Sequence, residues 1–148
     1  MSRDVALALT KYFQDLLSEE GYHRGDARWE EDSRTSHLVF KYSGGTMVLT
    51  ADADDTSFVR LIYPNFWPLE SDNEYANALQ AISIINARCK GVKVYATTNN
   101  ENMMASVEFL ISPDEPSLPA SLFLRYVGMV QHGANEFAKV MRDFEASE

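Results

Sequence analysis

One cysteine, Cys89, is all the thiol chemistry in this chain of 148 residues. No intrachain disulfide can form, which fits a reducing compartment and excludes the small disulfide-stapled folds. Cys89 reads as a small residue near a helix end, and its neighbours Arg88 and Lys90 point apart on a helix, so nothing activates the thiol. Basic residues are scarce too: 13 Lys and Arg stand against 22 Asp and Glu, for a formal net charge of −9. They never occur more than two side by side. Nucleic-acid binding starts from a cationic patch that replaces counterions on phosphates, so neither nucleic acid nor an anionic membrane is an expected partner. Long apolar runs are missing as well. Val5 to Leu9 is too short for a signal-peptide core and has Asp4 at its front, and no run nears the roughly 20 residues of a membrane span. The expectation is a protein that stays in the cytoplasm.

Catalytic signatures are also absent. There is no His-Glu-x-x-His, no Gly-x-Ser-x-Gly and no Gly-x-x-x-x-Gly-Lys, and His23, His37 and His132 lie singly on three elements. Asp52-Ala-Asp-Asp-Thr56 places oxygens at alternating positions as a calcium loop does, but Ser57 and Tyr63 stand where such a loop needs glycine and glutamate. The chain is therefore expected to be no enzyme and to carry no cofactor or metal.

What is present is the composition of an ordinary globular domain, 45% hydrophobic and 24% charged. A chain this long buries roughly 70% of its unfolded surface without a staple. Val5, Leu9, Tyr12, Phe13 and Leu16 recur at helical spacing over 4–20, and Gly21 follows as a left-handed cap. Residues 22–35 are polar, a loop or irregular edge anchored by Trp29. Three strands follow: His37 to Tyr42, Thr46 to Thr50 after the Ser43-Gly-Gly45 turn, and Phe58 to Tyr63, ended by Pro64 and Pro68. Asp52 to Asp55 turns the chain between the last two.

Ser71-Asp-Asn-Glu74 has capping-box spacing and opens a helix to about Cys89. That helix is apolar nearly all round, so burial on more than one face is expected. Val92 to Thr98 and Met103 to Ile111 form a hairpin, with Met103, Ala105, Val107, Phe109 and Ile111 on one side and Met104, Ser106 and Glu108 on the other. A last helix runs from about Ser117 to Ala146, its stripe made by Leu122, Tyr126, Met129, Val130, Gly133, Phe137, Val140 and Phe144. The order α-β-β-β-α-β-β-α predicts one α+β domain over 1–148, an antiparallel sheet packed by helices.

Asn73 to Asp143 resembles the YbjN-like family of bacterial proteins, described as sensory transduction regulators. The resemblance lies in Ile84-Ile-Asn-Ala87, the strand Val92-Lys-Val-Tyr95, the strand Ala105-Ser-Val-Glu-Phe-Leu110 and the helix opening Ser121-Leu-Phe-Leu124. The element order is also similar to the fold of type III secretion chaperones. The resemblance implies a non-enzymatic protein that binds another polypeptide, as a homodimer.

Candidate contacts are Val39 and Lys41 on the first strand, Phe66 and Trp67 in the aromatic stretch Tyr63 to Leu69, and Met104. Phe66 and Trp67 either cover the core beneath the second helix or anchor a partner. Met104 must face away from Met103, where it either packs under a helix or meets a partner. A partner segment would lie on a sheet face or edge. The alternative is a small-molecule sensor with a pocket between the second helix, the last helix and the sheet.

Overall fold

The computed structural model describes residues 2–147. Its elements are α1 (Ser2–Glu19), β1 (Arg28–Glu30), β2 (Thr35–Tyr42), β3 (Gly45–Asp52), β4 (Asp55–Pro68), α2 (Asp72–Arg88), β5 (Lys93–Ala96), β6 (Asn102–Leu110) and α3 (Ala120–Ala146). The strands form one six-stranded sheet in the order β1-β2-β3-β4-β6-β5. The antiparallel α+β fold is as expected, with one three-residue strand more than the sequence showed. The chain groups into two compact units, Met1–Leu61 with Glu108–Val127, and Ile62–Val107 with Gly128–Glu148.

In the first unit α1 ends as its sequence dictates. Gly21 takes φ +80°, and the Tyr22 and Gly21 N–H groups donate to the carbonyls of Leu17 and Ser18 at 2.9 and 3.1 Å. The β2–β3 hairpin turns at Ser43 and Gly44, both at positive φ (48° and 84°), the turn that matches strand twist. It sets Leu38 opposite Leu49 and Phe40 opposite Met47. These four side chains are buried, and alternation sends Val39 and Lys41 to the other face. Phe13 of α1 stacks on Phe123 of α3 at 5.1 Å, and Phe123 reaches Phe40 at 6.3 Å. Both helical segments of this unit therefore cover the Leu38–Phe40 face.

The segment 22–35 is less irregular than expected. Arg28–Glu30 pairs with Thr35–His37, and Arg24 forms an isolated bridge with Phe40. The strand expected to stop at Tyr63 continues as β4 to Pro68. Within it Asn65, at φ +51°, follows Pro64.

In the second unit Ser71 caps α2 by accepting the Glu74 N–H at 3.1 Å. Only Ala78, Ala81 and Ile85 of α2 are buried, and Leu79 stays 50% exposed. The helix is thus buried along one stripe, not on several faces as its composition implied. Asn86 meets the β5 backbone with both ends of its amide: it donates to the Val94 carbonyl at 3.1 Å and accepts the Val94 N–H at 2.8 Å. Close packing of α3 needs Gly133, where a β-carbon would stand 2.8 Å from the Val92 methyls.

Helix α3 starts at Ala120, three residues later than its periodicity implied. The residue before a proline is biased away from helical backbone, so Leu118 ahead of Pro119 stays outside. Its buried stripe keeps Val130, Gly133, Phe137 and Val140 as expected, but in its first turns Phe123 and Val127 point inward and Leu122 is left 42% exposed.

Asn86→Ala removes both amide bonds and leaves the Val94 backbone groups without their partner. A loss of about 1–3 kcal/mol is expected, measured by urea unfolding. Asn86→Asp is expected to recover only part, because a carboxylate accepts the N–H but repels the carbonyl. An unchanged midpoint in Asn86→Ala would remove this role.

Candidate functional site

Among the described residues, the first unit leaves one sheet face without a helix. Its β2–β3 part carries Val39 opposite Val48 and Lys41 opposite Thr46. Val39 is 45% exposed. The Lys41 ammonium donates to the Thr46 hydroxyl. On the same face Arg60 pairs with Glu108 at 3.1 Å and lies over the Phe58 ring at 5.6 Å. Leu110, two residues beyond Glu108, is 74% exposed.

Residues 23–25 run beside β2 as a short edge. The Lys41 N–H donates to the His23 carbonyl and the Gly25 N–H to the Val39 carbonyl, both at 2.8 Å. In an antiparallel pair the residue between two such bonds turns its own N–H and C=O outward. Arg24 is that residue, and among the described residues neither group has a hydrogen-bond partner. Its guanidinium folds back to Ser18 and Asp26, each at 2.8 Å.

With no side chain at Gly25, the surface beside Val39 is hollow. The hollow is a groove of about 150 Å³ lined by His23, Gly25, Val39 and Lys41, with the Arg24–Phe40 bridge as its floor. The sequence reading placed Val39 and Lys41 here but missed His23 and Gly25, which lie in a stretch taken as loop. Tyr22, which stacks on Tyr42 at 5.8 Å, was the available signal that this stretch follows β2.

The second unit holds the other candidates. Phe66 and Trp67 both meet Phe137 edge-on, at 5.6 and 6.0 Å. The Trp67 indole donates to the Glu74 carboxylate at 3.1 Å, so Glu74 does not complete the capping box. Both aromatics are half-buried lids on a fully buried ring. Met104 is half-buried opposite Tyr95, while Met103 is fully buried.

The acidic loop is internally engaged. The Asp52 carboxylate accepts the Asp54 N–H at 2.8 Å, and Asp54 pairs with Arg34 at 3.0 Å. A separate cavity of about 330 Å³ in the first unit is lined by Tyr12, Asp15, Leu16, Glu19, Leu118 and Ala120. Tyr12 fixes its rim by accepting the Leu118 N–H at 2.9 Å. Cys89, at the end of α2, has its thiol pushed above the ordinary range. Partial burial is the main cause, the Glu136 carboxylate adds to it, and Arg88 opposes both. No helix among the described residues is long and apolar enough to cross a membrane.

No family model matches the sequence, and no curated protein does. Solved structures do share the fold. An uncharacterized protein from Methanothermobacter thermautotrophicus is similar at a TM-score of 0.65 and 14% identity, over 91% of this chain and 97% of that one. YbjN from E. coli, a candidate transcription regulator, is similar at a TM-score of 0.51 and 12% identity, over 93% of this chain and 91% of that one. The chain therefore has a YbjN-like fold.

A raised thiol means less thiolate at a given pH, and the thiolate is the species that reacts. Alkylation of native Cys89 by iodoacetamide at pH 8 is expected to be slower than in the urea-unfolded chain. Glu136→Gln should speed it by removing one upward cause. Equal rates in the native and unfolded chains would contradict the assignment.

Proposed function

We propose that this chain is a non-enzymatic, polypeptide-binding regulatory module, and that the helix-free face of its first unit receives the partner. The observation that carries the reading is Val39: a branched apolar side chain held half in water on a regular two-stranded surface, beside an edge whose Arg24 backbone groups are free. An extended segment laid there gains apolar contact from the face and backbone bonds from the edge. The fold shared with a candidate regulator, and the element order resembling secretion chaperones, support a chaperone-like or regulatory role. A homodimer working in the cytoplasm completes the proposal.

The second reading, a small-molecule sensor, has its support in the 330 Å³ cavity, which is the size of a modest ligand site. That cavity lies between α1 and the start of α3, not between α2, α3 and the sheet where such a pocket was expected. Its Asp15 and Glu19 carboxylates favour a cationic ligand.

Val39→Asp puts a charge at the centre of the proposed surface without touching the core. The tagged protein, used to capture partners from its own cells, is expected to retain a polypeptide that Val39→Asp loses and Trp67→Phe keeps. Loss of the polypeptide in Trp67→Phe with retention in Val39→Asp would move the surface to the second unit.

A further inference from the structure

We infer that the partner segment is acidic and seats one aliphatic side chain in the groove beside Gly25, with its carboxylates against His23 and Lys41. This rests on the reading of the helix-free face as a polypeptide-binding surface, and it adds the chemistry of what binds there.

Size comes first. A groove of about 150 Å³ matches cavities that accept one benzene-sized apolar group, so it takes a single leucine, isoleucine or valine side chain. Its wall is the exposed Val39 side chain, and its opposite side is open because residue 25 has no β-carbon. Gly25 is not held there by backbone need. A β-carbon would sit 3.7 Å from the Val39 carbonyl oxygen, an ordinary contact, and Gly25 has no positive φ. The absent side chain therefore makes room on the surface and relieves no strain.

Charge comes second. The chain carries a net −9, yet the rim of this groove is cationic. Asp26, the nearest carboxylate in sequence, is held by Arg24 at 2.8 Å. The Lys41 ammonium bonds only the neutral Thr46 hydroxyl. Among the described residues the His23 ring has no hydrogen-bond partner, and no carboxylate pairs with His23 or Lys41. Both side chains are exposed and flank Val39 on one side. Elsewhere on the face the guanidinium of Arg60 is already matched by Glu108. Arg28, opposite His37 on the same face, has no carboxylate partner among the described residues either. An acidic segment is therefore complementary along this edge, and the groove beside Val39 sets where its aliphatic side chain sits.

The test uses immobilised 12-residue peptides of four compositions: Leu flanked by Asp and Glu, Leu flanked by Lys and Arg, Ala flanked by Asp and Glu, and Leu flanked by Ser. The full chain is the analyte, with Gly25→Val, Lys41→Glu and Val39→Asp beside it, each checked for an unchanged thermal midpoint. The acidic Leu peptides are expected to bind at least tenfold more tightly than the other three classes. Gly25→Val, which fills the groove, should weaken them about tenfold. Lys41→Glu should weaken them about as much and shift preference toward the basic peptides. If basic or Ser-flanked peptides bind best and Val39→Asp abolishes that binding, the face is a peptide site and the acidic inference is overturned. Acidic Leu peptides that bind Gly25→Val as well as the native chain overturn the groove assignment. No binding in any class overturns both the inference and the reading beneath it.

Discussion

Phe123 sits between Phe13 at 5.1 Å and Phe40 at 6.3 Å, and this three-ring contact decides which face of the sheet is dry. Phe13 extends the cluster to Phe109 at 6.0 Å, and Phe109 stacks on Tyr126 at 4.6 Å. Rings from α1, α3, β2 and β6 thus converge on one side of the first unit. Strand alternation does the rest: once Phe40 and Leu38 point at the helices, Val39 and Lys41 cannot. The bare face follows from the core and is no separate invention.

The second unit applies the same logic with fewer rings. Phe137 is fully buried and is covered by Phe66 and Trp67 from the end of β4. Glu74 then serves two neighbours, its N–H to the Ser71 cap and its carboxylate to the Trp67 indole. A side chain that the capping-box pattern assigned to the helix N-terminus is spent on the sheet instead.

Much of the architecture was legible in periodicity. The α1 stripe, the buried parity of β6 apart from Ser106, which is buried on the other face, and the Ser43–Gly44 turn each rest on local rules and match. Where reading failed, tertiary context overrode a local signal. Three residues, Arg28–Glu30, are too few and too polar to show a period, and only pairing with Thr35–His37 makes them a strand. Pro64 reads as a strand end, yet β4 runs through it to Pro68. In α2 an apolar composition suggested burial all round, yet small alanines carry the buried stripe and Leu79 is left outside. Among candidate surface residues, Val39 and Lys41 were legible because alternation exposes them. Gly25 was not, since a missing side chain matters only once its neighbour across the bridge is known.

The Asn86 amide bonds the Val94 N–H and carbonyl much as the next strand would. At that position it acts as a counterfeit strand, one residue long, on the outer strand β5. Unpaired strand edges are templates for addition of further chains, and a sheet with two open edges can extend without limit. A chain with one edge plugged and the other free at Arg24 can only add once there. One added strand fills that edge, and the sheet then has no free end left to elongate a fibre.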